Sequence, residues 1–128
     1  MEKPLLHDNK MIIDYAFLDE KSDFLDVWLF ANCDLCITTG TGVDMISDVF
    51  RKPLLFLNCL PLSYIFSWSY CFHYPKNLYW KKTGKILTLK ELINNTKPES
   101  YEENIIVKDL NSDEILISVK EAWGYFRG

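Results

Sequence analysis

Leu35-Cys36-Ile37-Thr38-Thr39-Gly40-Thr41-Gly42, followed at Phe50 by Arg51-Lys52-Pro53-Leu54-Leu55-Phe56-Leu57-Asn58, decides the fold of this chain. The first four residues form an apolar run that reads as a buried strand. Thr39-Gly40-Thr41-Gly42 is a turn that uses glycine's backbone freedom. From Val43 to Arg51 apolar residues recur at helical spacing: Val43, Ile46, Val49 and Phe50 define one face, and Asp44, Ser47, Asp48 and Arg51 the other. That spacing predicts the apolar face inward and the polar face in solvent. Pro53 marks the exit, and Leu54–Leu57 is a second buried strand, apolar throughout. Continuous apolar strands joined by a helix imply a parallel sheet covered on both faces.

Working outward, Met11-Ile12-Ile13-Asp14-Tyr15 reads as a short strand. Ser22 is placed to cap a helix whose inner face is Phe24, Val27, Trp28 and Ala31. Downstream, 58–85 is irregular and rich in aromatics, with a tight turn at Lys82-Thr83-Gly84-Lys85. Thr88 and Glu91 form a capping box, as do Asn111 and Glu114. The second opens a last helix with Ile115, Val119, Ala122 and Trp123 inward. Between them lie a polar connector, Asn94–Glu103, and a further strand, Ile105-Ile106-Val107. The expectation is one α/β domain over residues 1–128 with about four strands.

The 128 residues carry a net charge of −4. A general nucleic-acid binder needs a dominant basic face, so that class is excluded. No apolar run reaches the roughly 18–20 residues of a membrane span, and the N-terminus does not resemble a signal peptide. A cytoplasmic location is expected, at most peripheral at the inner membrane face. Cys33 and Cys36 have zinc-like spacing, but Cys36 falls inside a strand and Cys59 and Cys71 complete no knuckle, so no metal site is expected.

A glycine turn at a helix start offers unpaired N–H groups, which suit a phosphate. It is neither a P-loop nor the dinucleotide fingerprint, since Met45 stands where a third glycine is needed. His7 sits in a polar leader. His73 has the intrinsic titration range for acid–base work or is an ordinary loop histidine. The aromatics between Tyr64 and Trp80 either pack on the sheet or stack on a base or sugar. Lys76, Lys81, Lys82 and Lys85 form a basic group, either solvated or facing an anionic surface.

Ala31-Asn32-Cys33-Asp34-Leu35-Cys36-Ile37-Thr38-Thr39-Gly40-Thr41-Gly42, with Phe50–Asn58, Asn58-Cys59-Leu60-Pro61-Leu62 and Leu87-Thr88-Leu89-Lys90-Glu91, resembles the donor-binding C-terminal half of GT-B glycosyltransferases, in particular a bacterial surface-polysaccharide group. The resemblance runs from about Ile12 to Trp123. It implies a Rossmann-like three-layer α/β/α domain that binds a nucleoside-diphosphate sugar and transfers the sugar to a surface-glycan acceptor. Thr38, Thr39, Gly40, Thr41, Gly42, Val43 and Asp44 would hold the diphosphate, with Asn58 and His73 on the sugar side. Fixed amide dipoles would stabilise the leaving group, so no metal or cofactor is implied. Ile46 stands where that family has a ribose-binding glutamate, and Arg51 where it has a glycine; Asp44 and Asp48, the nearby carboxylates, read as solvated. A full enzyme pairs two such domains, so this chain is expected to supply only part of the donor half, to be inactive alone, and to need an N-terminal domain or a homodimer partner. The alternative is a non-catalytic α/β module that dimerises or docks through its aromatic face.

Overall fold

A computed structural model of the chain describes residues 4, 8–60, 62–95 and 101–128. His7 and residues 96–100 of the 94–103 connector, both singled out above, lie outside them. The elements in chain order are α1 (Asp23–Asn32), β1 (Cys36–Thr38), α2 (Asp44–Val49), β2 (Leu54–Cys59), β3 (Cys71–Pro75), β4 (Asn77–Trp80), α3 (Leu89–Asn94), α4 (Tyr101–Asn104), β5 (Ile105–Lys108) and α5 (Ser112–Arg127). Short 3-10 turns occupy Tyr15–Phe17 and Leu62–Tyr64.

The protein is mixed α/β. β1, β2 and β3 form a parallel sheet in that spatial order. β2 sits in the middle, and Leu54, Leu55, Phe56 and Leu57 are all buried, as an interior parallel strand requires. Strand alternation sorts the register rows onto two faces. Thr38, Phe56 and His73 align across the sheet, as do Cys36, Leu54 and Cys71. This face packs against Phe30, Cys33 and Phe66. On the other, Leu55, Leu57, Phe72 and Tyr74 meet Ile115, Val119, Ala122 and Phe126 of α5.

The expected four-stranded parallel sheet is corrected to three strands. β3 lies inside the stretch expected to be irregular. The Ile105–Val107 strand pairs antiparallel with β4 in a separate two-stranded sheet. Only Ile105 of that strand is buried, while Ile106 and Val107 stay partly exposed, which suits an outer ladder with one covered face. Ile105 joins Leu78 and Leu87 in a third apolar cluster.

Met11–Tyr15 is not a strand. Among the described residues it belongs to neither sheet, and Met11, Ile12 and Ile13 are exposed. The segment is anchored instead by Tyr15, whose hydroxyl donates to Asp26 on α1.

Helix caps follow the sequence. Ser22 Oγ accepts from Leu25 N, and both capping boxes are complete. Helix faces do not follow it. In α2 the polar residues Asp44 and Ser47 are buried, while Val43, Val49 and Phe50 point to solvent. Ser47 Oγ donates to Phe30 O at 2.7 Å, so a hydrogen bond ties α2 to α1. In α1, Phe24, Val27 and Trp28 are exposed and Phe30 turns toward the sheet. In α5, Ser118 and Ala122 are fully buried, whereas Trp123, expected inward, is 39% exposed beneath Arg127.

Candidate functional site

The turn after β1 has Gly40 at φ +86° and Gly42 at φ +99°, left-handed conformations that favour glycine. Its polar groups are largely satisfied internally. Gly40 N donates to Thr38 Oγ1 at 3.0 Å, and Thr38 Oγ1 donates to Asp44 Oδ2 at 3.0 Å. Gly42 N donates to Asp44 Oδ1 at 2.8 Å. Thr38 and Asp44 are buried, with Asp44 only 2% exposed. Asp44 is thus not solvated: its carboxylate accepts from the Gly42 amide and the Thr38 hydroxyl. The Gly40 and Gly42 amides, expected to face a phosphate, are both engaged within the turn. Thr41 and Val43 line a shallow recess at the open edge of β1 together with Ile37.

Four of the sequence-predicted residues do converge. Thr39, Gly40, Asn58 and His73 line one pocket of about 220 Å³, whose remaining walls are Phe56, Cys59, Leu60, Ile65 and Phe66. It lies beyond the carboxyl ends of β1 and β2, where open parallel sheets place their ligands. Asn58 adopts φ +56°, which asparagine tolerates better than most residues, and its Oδ1 accepts from Leu110 N at 2.8 Å.

His73 is on β3, not in a loop. Its ring stacks on Phe56 at 4.9 Å with an interplanar angle of 6° and meets Phe66 edge-on at 5.2 Å. Nδ1 lies 3.7 Å from Cys71 Sγ, and Nε2 is buried with no hydrogen-bond partner. Burial holds the imidazole below its usual titration range, so the neutral form is favoured. An orphaned buried ring nitrogen beside a pocket is a group that a ligand hydroxyl or amide can satisfy.

The walls Ile65 and Phe66 were hidden by the irregular stretch, where aromatic content was the sole signal. That stretch divides in two. Phe66 packs on one face of the sheet and Phe72 and Tyr74, within β3, pack against α5, while Trp68 and Tyr70 remain exposed. The basic group is dispersed: Lys76 pairs with Asp109 at 2.7 Å, and Lys82 and Lys85 are exposed turn residues.

All four cysteines are free, and burial raises the thiol titration of Cys36, Cys59 and Cys71. Among the described residues, no group of three or more histidine, cysteine or acidic side chains is placed to hold a metal ion, and no helix is long and apolar enough to cross a membrane. The fold and pocket define an α/β protein with a ligand-sized recess at the end of a parallel sheet. No protein-family model, curated protein or solved structure matches this chain.

Proposed function

We propose that this chain is the donor-binding part of a GT-B-type glycosyltransferase, which takes a nucleoside-diphosphate sugar and works with a second lobe that carries the surface-glycan acceptor. The observation that carries this reading is the convergence of Thr39, Gly40, Asn58 and His73 on one pocket beyond the carboxyl ends of the parallel strands. Apolar clusters on both faces of the sheet support a Rossmann-like α/β/α layering within it. Because Asp44 engages the Gly42 amide and Thr38 the Gly40 amide, the donor's phosphates would meet Thr39 instead. The neutral His73 imidazole would hydrogen-bond the donor rather than transfer a proton. The acceptor site and catalytic base would belong to the second lobe.

Calorimetric titration with UDP, GDP and ADP tests this. At least one should bind, and Thr39→Ala or His73→Ala should each weaken it about 2–10-fold, the worth of one hydrogen bond. Failure of all three nucleotides to bind would reject the donor-site reading.

A second reading has its own observation. Phe24, Trp28, Val49 and Phe50 place apolar side chains in solvent on α1 and α2, more than scattered surface residues warrant. A non-catalytic module that dimerises through these helices would show concentration-dependent mass in light scattering, abolished by Phe50→Lys and Trp28→Lys. A monomer at all concentrations would exclude it.

A further inference from the structure

At the opposite end of β3 from the pocket, Asp48, Val49, Arg51, Trp68, Ser69 and Tyr70 line a second recess of about 490 Å³. Three independent features mark it. Arg51 is held at φ +55°, a left-handed conformation that costs a branched or long side chain free energy and that glycine would adopt without strain. Ser69 Oγ is buried with no hydrogen-bond partner, an exception that calls for an explanation in a native fold. Trp68 is 77% and Tyr70 50% exposed, yet each is anchored from behind, Trp68 stacked on Phe66 at 4.6 Å and Tyr70 edge-on to Phe126 at 4.5 Å. Their outward surfaces are therefore braced rather than loose.

From these features we infer that this recess binds an uncharged saccharide unit. Two braced aromatic rings offer apolar surface for the C–H face of a sugar ring. Arg51 supplies a fork of donors, Asp48 supplies acceptors, and Ser69 offers an unspent hydroxyl, a set matched to a ligand dense in hydroxyls that both donate and accept. The charge balance selects the class. Asp48 opposes an anion and Arg51 opposes a cation, so the pair suits a neutral ligand. The volume suits one or two sugar rings. The two recesses share no lining residue, although Phe66, which braces Trp68, is a wall of the other pocket.

The test is a two-dimensional amide NMR titration of the full chain with glucose, galactose, N-acetylglucosamine and maltose as probes, and with glucuronate and inorganic phosphate as charged comparisons. At least one neutral sugar should give saturable shifts at the Ser69 and Tyr70 amides in the millimolar range. Trp68→Ala and Arg51→Gly should each weaken that response about 10-fold. Arg51→Gly should meanwhile raise the urea midpoint, because it relieves the backbone, so lost binding cannot be ascribed to lost folding. Absence of a saturable shift with every neutral sugar, a response to glucuronate or phosphate alone, or binding undiminished in both variants would overturn the proposal.

Discussion

Replacing Asp44 with alanine separates a buried polar keystone from a solvated helix residue. In the folded chain its carboxylate accepts from Gly42 N at 2.8 Å and Thr38 Oγ1 at 3.0 Å, and the residue is 2% exposed. Alanine removes both acceptors and leaves two donors without partners. Thr38 is buried, so its orphaned hydroxyl costs about 1–3 kcal/mol, whereas the Gly42 amide, in an exposed turn, can turn to water; the expected loss is about 1–3 kcal/mol. A solvated helix position would cost within about 0.5 kcal/mol. With a urea slope of about 2 kcal/mol/M, the midpoint should fall by about 0.5–1.5 M. The loss should also be partly reversible by an external anion. Once the carboxylate is gone, the Gly42 amide is unspent, and phosphate at ten times its dissociation constant would restore about 1.4 kcal/mol by mass action. Urea titrations with and without phosphate measure both effects, and the parent chain, whose Gly42 amide is already engaged, should gain less than the variant. Should Asp44→Ala prove too unstable, Thr38→Val breaks the same relay at Thr38 and should cost about 1–3 kcal/mol. An Asp44→Ala chain as stable as the parent would refute the buried relay.

Three further outcomes are expected. His73 titrates lower in the fold than when unfolded because burial disfavours its charged form, so stability is full above the unfolded value of about 6.5 and declines as pH falls below it; urea midpoints between pH 5 and 7 should show this slope, and His73→Phe should flatten it. Tyr74 is pushed up to about 12, by burial first and then by its hydrogen bond to Glu121, so stability should fall as pH rises from about 10 toward 12, and Tyr74→Phe should remove that alkaline component in circular dichroism. Gly42→Ala places a Cβ in open space at φ +99°, so its cost should be backbone strain of about 1–2 kcal/mol without a packing defect, measured as a shifted urea midpoint with an unchanged slope.

What the sequence disclosed was local. Ser22, Thr88 and Asn111 cap their helices through side-chain bonds to residues three positions on, so neighbours suffice to find them. β2 was legible because four consecutive apolar residues demand burial on both faces. The orientation of α2 was not legible. Hydrophobic periodicity assumes that apolar side chains turn inward, but here Asp44 and Ser47 are claimed by partners distant in the fold or in the turn, Gly42, Thr38 and Phe30. β3 was missed because Cys71-Phe72-His73-Tyr74-Pro75 mixes polar and aromatic residues and ends in proline, and its pairing with β2 is a long-range choice that no window along the chain contains. His73 and Asn58 were placed together on the sugar side by resemblance alone, since the register Phe56–His73 and the bond from Leu110 arise only in three dimensions.

That bond from Leu110 has a consequence for how the molecule can be dissected. Asn58 Oδ1 is spent on a main-chain amide fifty-two positions later, just where the chain enters α5. The rim of the first recess is therefore fastened by a stretch that contributes no lining atom to it. Removing the C-terminal helix to make a minimal binding fragment would release the asparagine from its left-handed bend and open the recess from outside, even with every lining residue retained.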